Sequence, residues 1–501
     1  MNSGIGGDHN LRLTSGRLLA RNTVWNLVGS CAPILVALFC MPILIKGLGT
    51  DRFGVLTLAW AVIGYASFFD LGLGRALTQL VASKLGAGEE HEVPTLVWTS
   101  LLLMLVLGLL GAVVVIALSP WLIHSALRVP RVLQSETLRS FYLLGLSIPV
   151  VISTAVLRGL LEAHQRFELI NALRIPMGVF SFVGPLFVLP FSKNLFPVVA
   201  VLVVGRMIGW AAHLVLCLRV APALRHQVAW KRAAIIPLLR FGGWMTVSNV
   251  VGPLMVTFDR FLIGALVSVS AVAFYATPYE VVTKFLLLPA ALASVMFPAF
   301  STSFVRDPSY TALLYWRSLK YLLLVLFPLV LFVVVLAPDG LKLWLGAAFA
   351  QHSVRVMQWL AVGVFINSLA FVPFAVVQGV GKPDLTAKLH AIELPAYLVA
   401  LWWLAKAHGI DGVAIAWTGR ATADALVLFV MAKRFLPVRT SSRMQTTLLV
   451  ALAFVTLALA TLPHGLLLKG IFLLLTILSF VLVTWFLVLS PEERSLGQEL
   501  L

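Results

Sequence analysis

Long apolar runs recur along the whole chain, and they limit its fold more than any other feature. One of them, "LVWTSLLLMLVLGLLGAVVVIALS" at 96–119, contains no charged residue. A helix needs about 18 or more such residues to cross a hydrocarbon layer roughly 30 Å thick. Because the run is apolar on every side and does not alternate, it predicts a membrane-spanning helix and not a barrel strand.

The composition agrees with a membrane fold, since 60% of the 501 residues are hydrophobic and only 11% are charged. Soluble domains have about 25% charged residues, so a water-soluble fold is excluded. The sequence therefore predicts an all-α polytopic membrane protein with about fourteen transmembrane helices. The predicted spans are 22–45, 54–70, 94–118, 138–158, 170–190, 196–218, 241–264, 271–298, 318–337, 354–377, 385–405, 411–432, 445–462 and 467–489.

Lys and Arg residues are distributed unevenly between the two sets of connecting loops. Most lie in segments that face the cytoplasm if the N-terminus is cytoplasmic, as the positive-inside rule requires. An even number of spans then returns the C-terminus to the cytoplasm. This topology and contact with anionic lipid explain the formal charge of +17, and no soluble module presents a basic surface, so nucleic acid is not a predicted partner.

The opening of the first span has a counterpart later in the chain. The stretches "RNTVWNLVGSCAPILVALF" and "GWMTVSNVVGPLMVTFDRFL" place Asn26 and Asn249 in matching positions. In each stretch a proline comes a few residues later. Transporters are often built from such repeats. The repeat predicts two six-helix lobes in a pseudo-twofold arrangement, residues 1–220 and 233–435, followed by an additional transmembrane hairpin at 445–490.

Four stretches, taken together and in order, resemble one family of membrane proteins. They are "NTVWNLVGSCAPILVALFCMPILIKGLGTDRFGVLTLA", "FFDLGLGRALTQLVASKLG", "PDGLKLWLGAAFA" and "VVQGVGKPDLTAKLHAIE". With them the chain resembles the polysaccharide transporter family, the O-antigen and exopolysaccharide flippases. The superfamily of these flippases also contains multidrug and toxin extrusion proteins and lipid II flippases.

The resemblance implies a transporter, not an enzyme, in a bacterial cytoplasmic (inner) membrane. Its implied activity is the movement of an undecaprenyl-diphosphate-linked oligosaccharide to the outer leaflet by alternating access. No cofactor is implied, and Na⁺ and H⁺ are the alternatives for a coupling ion. The expected partners are the lipid-linked substrate, membrane lipids and polysaccharide polymerase or other biosynthesis proteins, while the two-lobe design predicts a functional monomer.

Two other functions stay open as alternatives. A cation-coupled drug exporter of the same superfamily usually has twelve spans, so the stretch "GIFLLLTILSFVLVTWFLVL" argues against it. A membrane sugar polymerase needs a large outer loop that carries acids or basic clusters, and the predicted outer loops are short.

Charged residues inside the spans form the candidate site, because each costs about 2.5–3.5 kcal/mol at mid-membrane on insertion scales. The basic cavity typical of these flippases is assigned here to Arg75, Arg206, Lys284 and Arg420, as substrate-binding residues. Arg206 lies in a small polar stripe with Gly205, Gly209 and His213. The alternative is that Arg206 bonds a carbonyl group between lobes.

Two spans hold opposite charges four positions apart, Glu280 with Lys284 and Arg420 with Asp424. Helical geometry places the members of each pair on one face. Each pair either ties helices together or faces a hydrated cavity, where the cation binds diphosphate or acidic sugar and the acid relays a proton or binds a coupling cation. We also expect Pro278 to loosen its helix and allow a bend.

Two acids at span ends are candidates for gating. Asp259 and Arg260 are adjacent, so they point to different helix faces, and they are predicted to form a gate contact. Asp70 ends the second span and Arg75 follows it across a glycine-rich link. As a hypothesis, Arg75 grips a diphosphate at the cytoplasmic entrance while the link lets a lobe move; alternatively, Asp70 and Arg75 only anchor helix ends.

The stretches that resemble a phosphate loop or a metal site do not match the motifs of such sites. In "QGVGKPD" a proline follows Lys382 where a phosphate loop needs Ser or Thr. His390 with Glu393, and His408 with Asp411, each lack a third ligand nearby in the sequence. No metal site is therefore predicted.

Overall fold

The computed structural model describes residues 33, 35–65, 73–164, 166–228, 258–436 and 441–489. Within these residues all regular secondary structure is helical. The α-helices are α1 (Leu35–Leu48), α2 (Thr50–Tyr65), α3 (Leu73–Gly86), α4 (Val93–Trp121), α5 (Arg131–Ala163), α6 (Phe167–Val188), α7 (Leu195–Val220), α8 (258–266), α9 (Val269–Val282), α10 (Leu287–Arg306), α11 (Pro308–Leu345), α12 (Ala347–Gly379), α13 (Pro383–Lys433), α14 (Ser441–Leu459) and α15 (Leu466–Val483).

The prediction of an all-α polytopic membrane protein is confirmed. In the described part of the chain, nine helices are long and apolar enough to cross a membrane, and α1 and α14 contain shorter apolar segments. Each predicted span overlaps a described helix. The parts of the first, second and seventh predicted spans at 22–32, 34, 66–70 and 241–257 lie outside the described residues, and so do Asn26 and Asn249 of the predicted repeat.

Helix α13 contains two predicted spans, 385–405 and 411–432. It has 51 residues, and Gly409 interrupts it with φ 59° and ψ −135°. Residues that carry a Cβ rarely adopt a positive φ, whereas glycine does so at little cost. We call the parts before and after Gly409 the first and second segments of α13.

Helix α11 is longer at both ends than its predicted span at 318–337. The Asp307 carboxylate accepts hydrogen bonds from the backbone N–H groups of Ser309 and Tyr310, at 2.8 and 3.2 Å. This cap and Pro308 in the first turn start the helix outside the apolar run. Gly346, with φ 91°, ends it. The Asp307 cap and Gly346 therefore set the length of α11, and an apolar run does not show where such features lie.

The predicted span 271–298 is not one regular helix. A short 3₁₀ turn, Thr283–Leu286, separates α9 from α10. Pro289 has no N–H to donate to the carbonyl of Phe285, and its ring crowds that carbonyl, which accounts for the tightened turn. Pro278 lies inside α9, before this turn.

The chain divides into two compact units, Met1–Ala273 and Phe274–Leu501. In the first unit, α3, α4, α5 and α7 surround a buried apolar core. Glycines let these helices approach closely: a Cβ on Gly108 would lie 2.5 Å from the Cα of Pro149, and one on Gly159 would lie 2.7 Å from the carbonyl oxygen of Gly74.

In the second unit, α12 packs against α10, α11 and α13. The C-terminal helices α14 and α15 attach through aromatic contacts, with ring centroids 5.7 Å apart for Phe454 and Phe365 and 4.6 Å apart for Phe480 and Phe327. The predicted C-terminal hairpin is therefore part of this unit's packing. The predicted lobe boundaries at 220, 233 and 435 stay predictions.

Candidate functional site

The two segments of α13 bring four ionisable side chains together. The first segment carries His390 and Glu393, and the second carries Arg420 and Asp424. The segments come close beside the kink, where a Cβ on Gly412 would lie 2.0 Å from the carbonyl oxygen of Leu404. We call His390, Glu393, Arg420 and Asp424 the α13 cluster.

Charge pairs in the α13 cluster run between the two segments. Arg420 Nη1 lies 3.5 Å from Glu393 Oε1, and His390 Nε2 lies 3.7 Å from Asp424 Oδ1. The expected pairing of Arg420 with Asp424 is wrong, because the guanidinium reaches the carboxylate on the opposite segment instead. Glu393, Asp424 and Arg420 are buried, with side chains 7, 8 and 11% exposed.

Aromatic rings surround the α13 cluster. The Cζ atom of Arg420 lies 5.7 Å from the ring centre of Tyr397 and 5.6 Å from that of Trp417. Phe374 of α12 stacks on His390, with ring centres 6.2 Å apart. Cations within about 6 Å of an aromatic face are attracted by its quadrupole. These rings therefore stabilise the guanidinium while keeping the surroundings largely apolar.

Several polar atoms of the α13 cluster make no hydrogen bond with the described residues. They are both carboxylate oxygens of Glu393, Oδ1 of Asp424 and Nε of Arg420. The ion contacts at 3.5 and 3.7 Å are longer than ordinary charge-assisted hydrogen bonds of about 2.7–2.9 Å. Attraction between charges therefore holds the cluster together, while these atoms can still make further hydrogen bonds.

The expectation that His390 and Glu393 gather no third ligand is wrong. One ligand atom from each of His390, Glu393 and Asp424 lies within 4.8 Å of the others. The kink at Gly409 brings Asp424 back to the first segment, and sequence spacing does not show this. A divalent metal fits the charges poorly, because Arg420 already neutralises one of the two carboxylates and a dication would leave a buried excess positive charge.

The predicted pair Glu280 and Lys284 forms an ion pair, with Lys284 Nζ 3.1 Å from Glu280 Oε2. Its side chains are partly exposed. Tyr279, the residue before Glu280, contacts Trp417 edge to face, with ring centres 6.1 Å apart. Aromatic contacts thus extend from α9 to the residues around Arg420.

Arg206 lies half-buried in α7, and no described residue pairs with it by a hydrogen bond or an ion contact. The neighbouring stripe differs from the expected polar surface. Gly205 and Gly209 face α6, where a Cβ on either would come within 2.5 Å of a side chain. His213 is buried and its Nδ1 lies 2.7 Å from the carbonyl oxygen of Gly209. The stripe is a packing seam, and the role of Arg206 stays a prediction.

The remaining candidates lie in the first unit. Asp259 and Arg260 are both buried, and Asp259 Oδ1 accepts a hydrogen bond of 2.7 Å from the backbone N–H of Arg260. Arg75 belongs to α3, but its side chain lies outside the described residues, as does the whole of Asp70. The gate and entrance roles of these residues stay predictions.

A cavity of about 980 Å³ lies in the second unit beside the kink of α13. Its walls include the apolar side chains of Val335, Trp359 and Phe454. Arg355 and Asp411 line it too, with Nη1 4.0 Å from Oδ2. His408 and Asp411, which do not form a predicted metal site, therefore lie at a mixed polar and apolar surface of this cavity.

The helices place the chain in a known class of membrane proteins. An inward-facing multidrug resistance MATE family transporter of the MOP superfamily superimposes with a TM-score of 0.68, over 85% of this chain and 99% of that one, at 15% identity. A MOP superfamily transporter from Pyrococcus furiosus gives a TM-score of 0.58, with 86% and 96% covered, at 16% identity. The chain has the fold of MOP superfamily transporters.

Sequence comparison gives the family. Residues 19–304 match the family model described as "Polysaccharide biosynthesis protein". A Shigella flexneri protein named "Putative O-antigen transporter" is 32% identical over 414 residues, 82% of this chain and 96% of that protein. The Escherichia coli K12 "Lipopolysaccharide biosynthesis protein WzxC" is 22% identical, over 78% and 76% of the two chains. The chain belongs to the polysaccharide biosynthesis protein family, and it is a membrane transporter, not an enzyme.

Proposed function

We propose that the protein is a flippase for a lipid-linked oligosaccharide. Its substrate is an undecaprenyl-diphosphate-linked O-antigen or exopolysaccharide repeat unit, which moves from the cytoplasmic to the outer leaflet of a bacterial inner membrane by alternating access. The observation that carries this proposal is the 32% identity to the Shigella flexneri protein over 96% of that protein's length.

The charges inside the membrane fit such a substrate. A diphosphate needs cationic donors, and Arg206, Lys284 and Arg420 supply them from within the transmembrane helices. Because burying Arg420 is costly, its place between Glu393 and two aromatic rings favours a function over chance. The acids Glu280 and Asp424 are the candidates for coupling to Na⁺ or H⁺.

We further propose the orientation of the protein, its oligomeric state and its partners. Both termini are cytoplasmic, one chain completes the transport path, and membrane lipids surround it. A polysaccharide polymerase or another biosynthesis protein takes up the translocated repeat unit on the outer side.

The proposal is tested in a strain that lacks the protein. We expect the undecaprenyl-diphosphate oligosaccharide to accumulate on the cytoplasmic leaflet and long polymer to be lost. The wild-type chain and the control Arg355→Ala, whose side chain is 81% exposed, restore export, whereas Arg206→Ala at equal protein level does not. Long polymer made without the protein, with no accumulated lipid, would refute the flippase function.

The drug exporter is supported by fold alone, because the MATE structures are only 15% identical to this chain. Drug susceptibility of the same deletion strain separates the two functions. A deletion that increases drug sensitivity while polymer and lipid-linked oligosaccharide remain normal would favour the exporter.

A further inference from the structure

The α13 cluster is not electrically neutral by itself. With an uncharged imidazole and both carboxylates ionised, Glu393 and Asp424 are opposed by the single guanidinium of Arg420, which leaves one negative charge. Glu393 and Asp424 have side chains 7 and 8% exposed. An uncompensated charge in such surroundings costs several kcal/mol unless it is neutralised. One positive charge is missing.

We propose that the α13 cluster is a one-proton site, with the proton held by His390 and paired to Asp424. Proton binding makes the cluster neutral and creates two ion pairs between the segments, His390 with Asp424 and Arg420 with Glu393. Without the proton, Asp424 faces a neutral ring at 3.7 Å and its Oδ1 has no hydrogen bond with the described residues.

The ligand chemistry favours a proton over other cations. Na⁺ prefers a shell of oxygen ligands, whereas the ligand atoms gathered here include the imidazole nitrogen of His390 beside the carboxylate oxygens of Glu393 and Asp424. A divalent cation would leave one excess positive charge beside Arg420. Histidine is the side chain whose charge ordinarily changes near neutral pH. A proton on the imidazole therefore matches the missing charge and uses the nitrogen that faces Asp424.

Access to the site is through His390. Its side chain is 36% exposed, whereas those of its three partners are 11% exposed or less. The imidazolium carries hydrogens on both nitrogens, so Nε2 donates towards Asp424 Oδ1. A proton can therefore reach the ring without the buried carboxylates being exposed.

Other groups near His390 do not supply the missing charge. The charged groups that face it and Asp424 from the described residues are Glu393 and Arg420, and α12 contributes the apolar ring of Phe374. Tyr279 of α9 contacts Trp417, while Glu280 of α9 pairs with Lys284 of the following 3₁₀ turn at 3.1 Å. Among the described residues, the charges that face His390 and Asp424 thus come from α13 itself.

This inference deepens the proposed function by assigning its coupling ion as H⁺, but protonation can be measured without any transport substrate. The protein is labelled with ¹⁵N-histidine, placed in lipid nanodiscs and titrated by NMR. The chain has ten histidines, so the signal of His390 is identified by its loss in His390→Gln. We expect the midpoint of the His390 signal to depend on the charges of Glu393, Arg420 and Asp424, which the charge variants change.

The charge variants predict a pattern of opposite signs. Asp424→Asn and Glu393→Gln each remove the excess negative charge, so the midpoint of the His390 titration should fall by about one pH unit or more. Arg420→Gln adds to that excess, so the midpoint should rise. The double variant Glu393→Gln with Arg420→Gln restores the original charge and should titrate close to the wild type.

Each outcome bears on the proposal. The midpoint of His408 should be the same in all variants. Size-exclusion profiles identify variants that do not fold, and the double variant replaces any such variant in the comparison. A His390 midpoint that stays unchanged in Asp424→Asn and Glu393→Gln overturns the proton site. This result leaves the flippase function standing, whereas normal lipid export by the deletion strain would refute the flippase and leave the proton site standing.

Discussion

At the scale of single residues, Lys469 shows how burial decides the contribution of an ion pair. Its Nζ lies 2.6 Å from Asp339 Oδ2, but the lysine side chain is 9% exposed and the aspartate 44%. The lysine depends on its partner more than the aspartate does, because most of the lysine side chain is buried. The aspartate can be hydrated without the lysine.

We therefore expect unequal effects from the two truncations. Asp339→Ala leaves a buried ammonium unpaired and should destabilise the protein by about 3 kcal/mol. Lys469→Met leaves a carboxylate in contact with water and should cost less than about 1 kcal/mol. Thermal unfolding in detergent ranks the two variants. Asp384→Asn, in an exposed pair with Lys388, is the control and should melt like the wild type. Equal losses for the two truncations would show that burial of Lys469 does not matter.

At this scale the sequence does not always show which charged side chains pair with each other. Spacing correctly predicted Glu280 with Lys284, since both lie on one helix face. The same rule failed for Arg420, because Glu393 on the other segment of α13 lies within its reach. His390 was dismissed for the same reason: its acidic partner is distant in sequence and only the kink at Gly409 brings it near.

At the scale of helices, the contact between α12 and α13 positions the α13 cluster. Gly363 of α12 lies under Trp417 and Thr418, and a Cβ there would come within 2.7 Å of both side chains. Thr418 also donates a hydrogen bond of 2.8 Å to the carbonyl oxygen of Trp359. The second segment of α13 is therefore seated on α12 directly beside Arg420.

We expect Gly363→Ala to separate these two helices. The added methyl group displaces Trp417, and overpacking of this kind costs about 1–3 kcal/mol. Gly419→Ala is the matched control, because Gly419 lies in the second segment of α13, two residues after Trp417, with nothing within 4 Å of its Cβ position. That change should be neutral or stabilising by about 0.5–1 kcal/mol, since alanine favours a helix. Melting temperatures of the purified variants test the difference, and equal melting of the two would contradict the close contact.

Apolar runs predicted which helices exist, but not where they end. The run at 318–337 marks α11, whose ends depend on the Asp307 cap and on Gly346. Hydropathy measures the burial of side chains in lipid, whereas helix ends depend on a few backbone hydrogen bonds. Boundaries and kinks therefore need the structure.

At the scale of the whole molecule, the fold class followed from the sequence because a bilayer allows few backbone solutions. Buried N–H and C=O groups must be satisfied within each span, so long apolar runs have to be helices. The family resemblance added what physics alone does not provide, and the match over residues 19–304 confirmed it. Orientation depends on the charges of the loops, and it is the prediction at this scale that an experiment can decide.

We expect cysteine labelling to show a cytoplasmic N-terminus. The loop before α7 is predicted to lie outside and the loop before α4 inside, and each has an exposed residue, Lys193 and Glu90. In a cysteine-free background, Lys193→Cys should react with a membrane-impermeant maleimide in spheroplasts, whereas Glu90→Cys should react only after lysis. That background replaces all three native cysteines, Cys31, Cys40 and Cys217, by alanine, which is similar in size and apolar.

The opposite labelling pattern would reverse the whole molecule in the membrane. Spans are connected in series, so reversing one loop exchanges the sides of all others. Loops rich in Lys and Arg would then face outwards, against the positive-inside rule. Arg75, proposed to receive the diphosphate, would lie on the outer side, away from a substrate made in the cytoplasm. The labelling of Lys193→Cys and Glu90→Cys therefore tests the direction of transport as well as the topology.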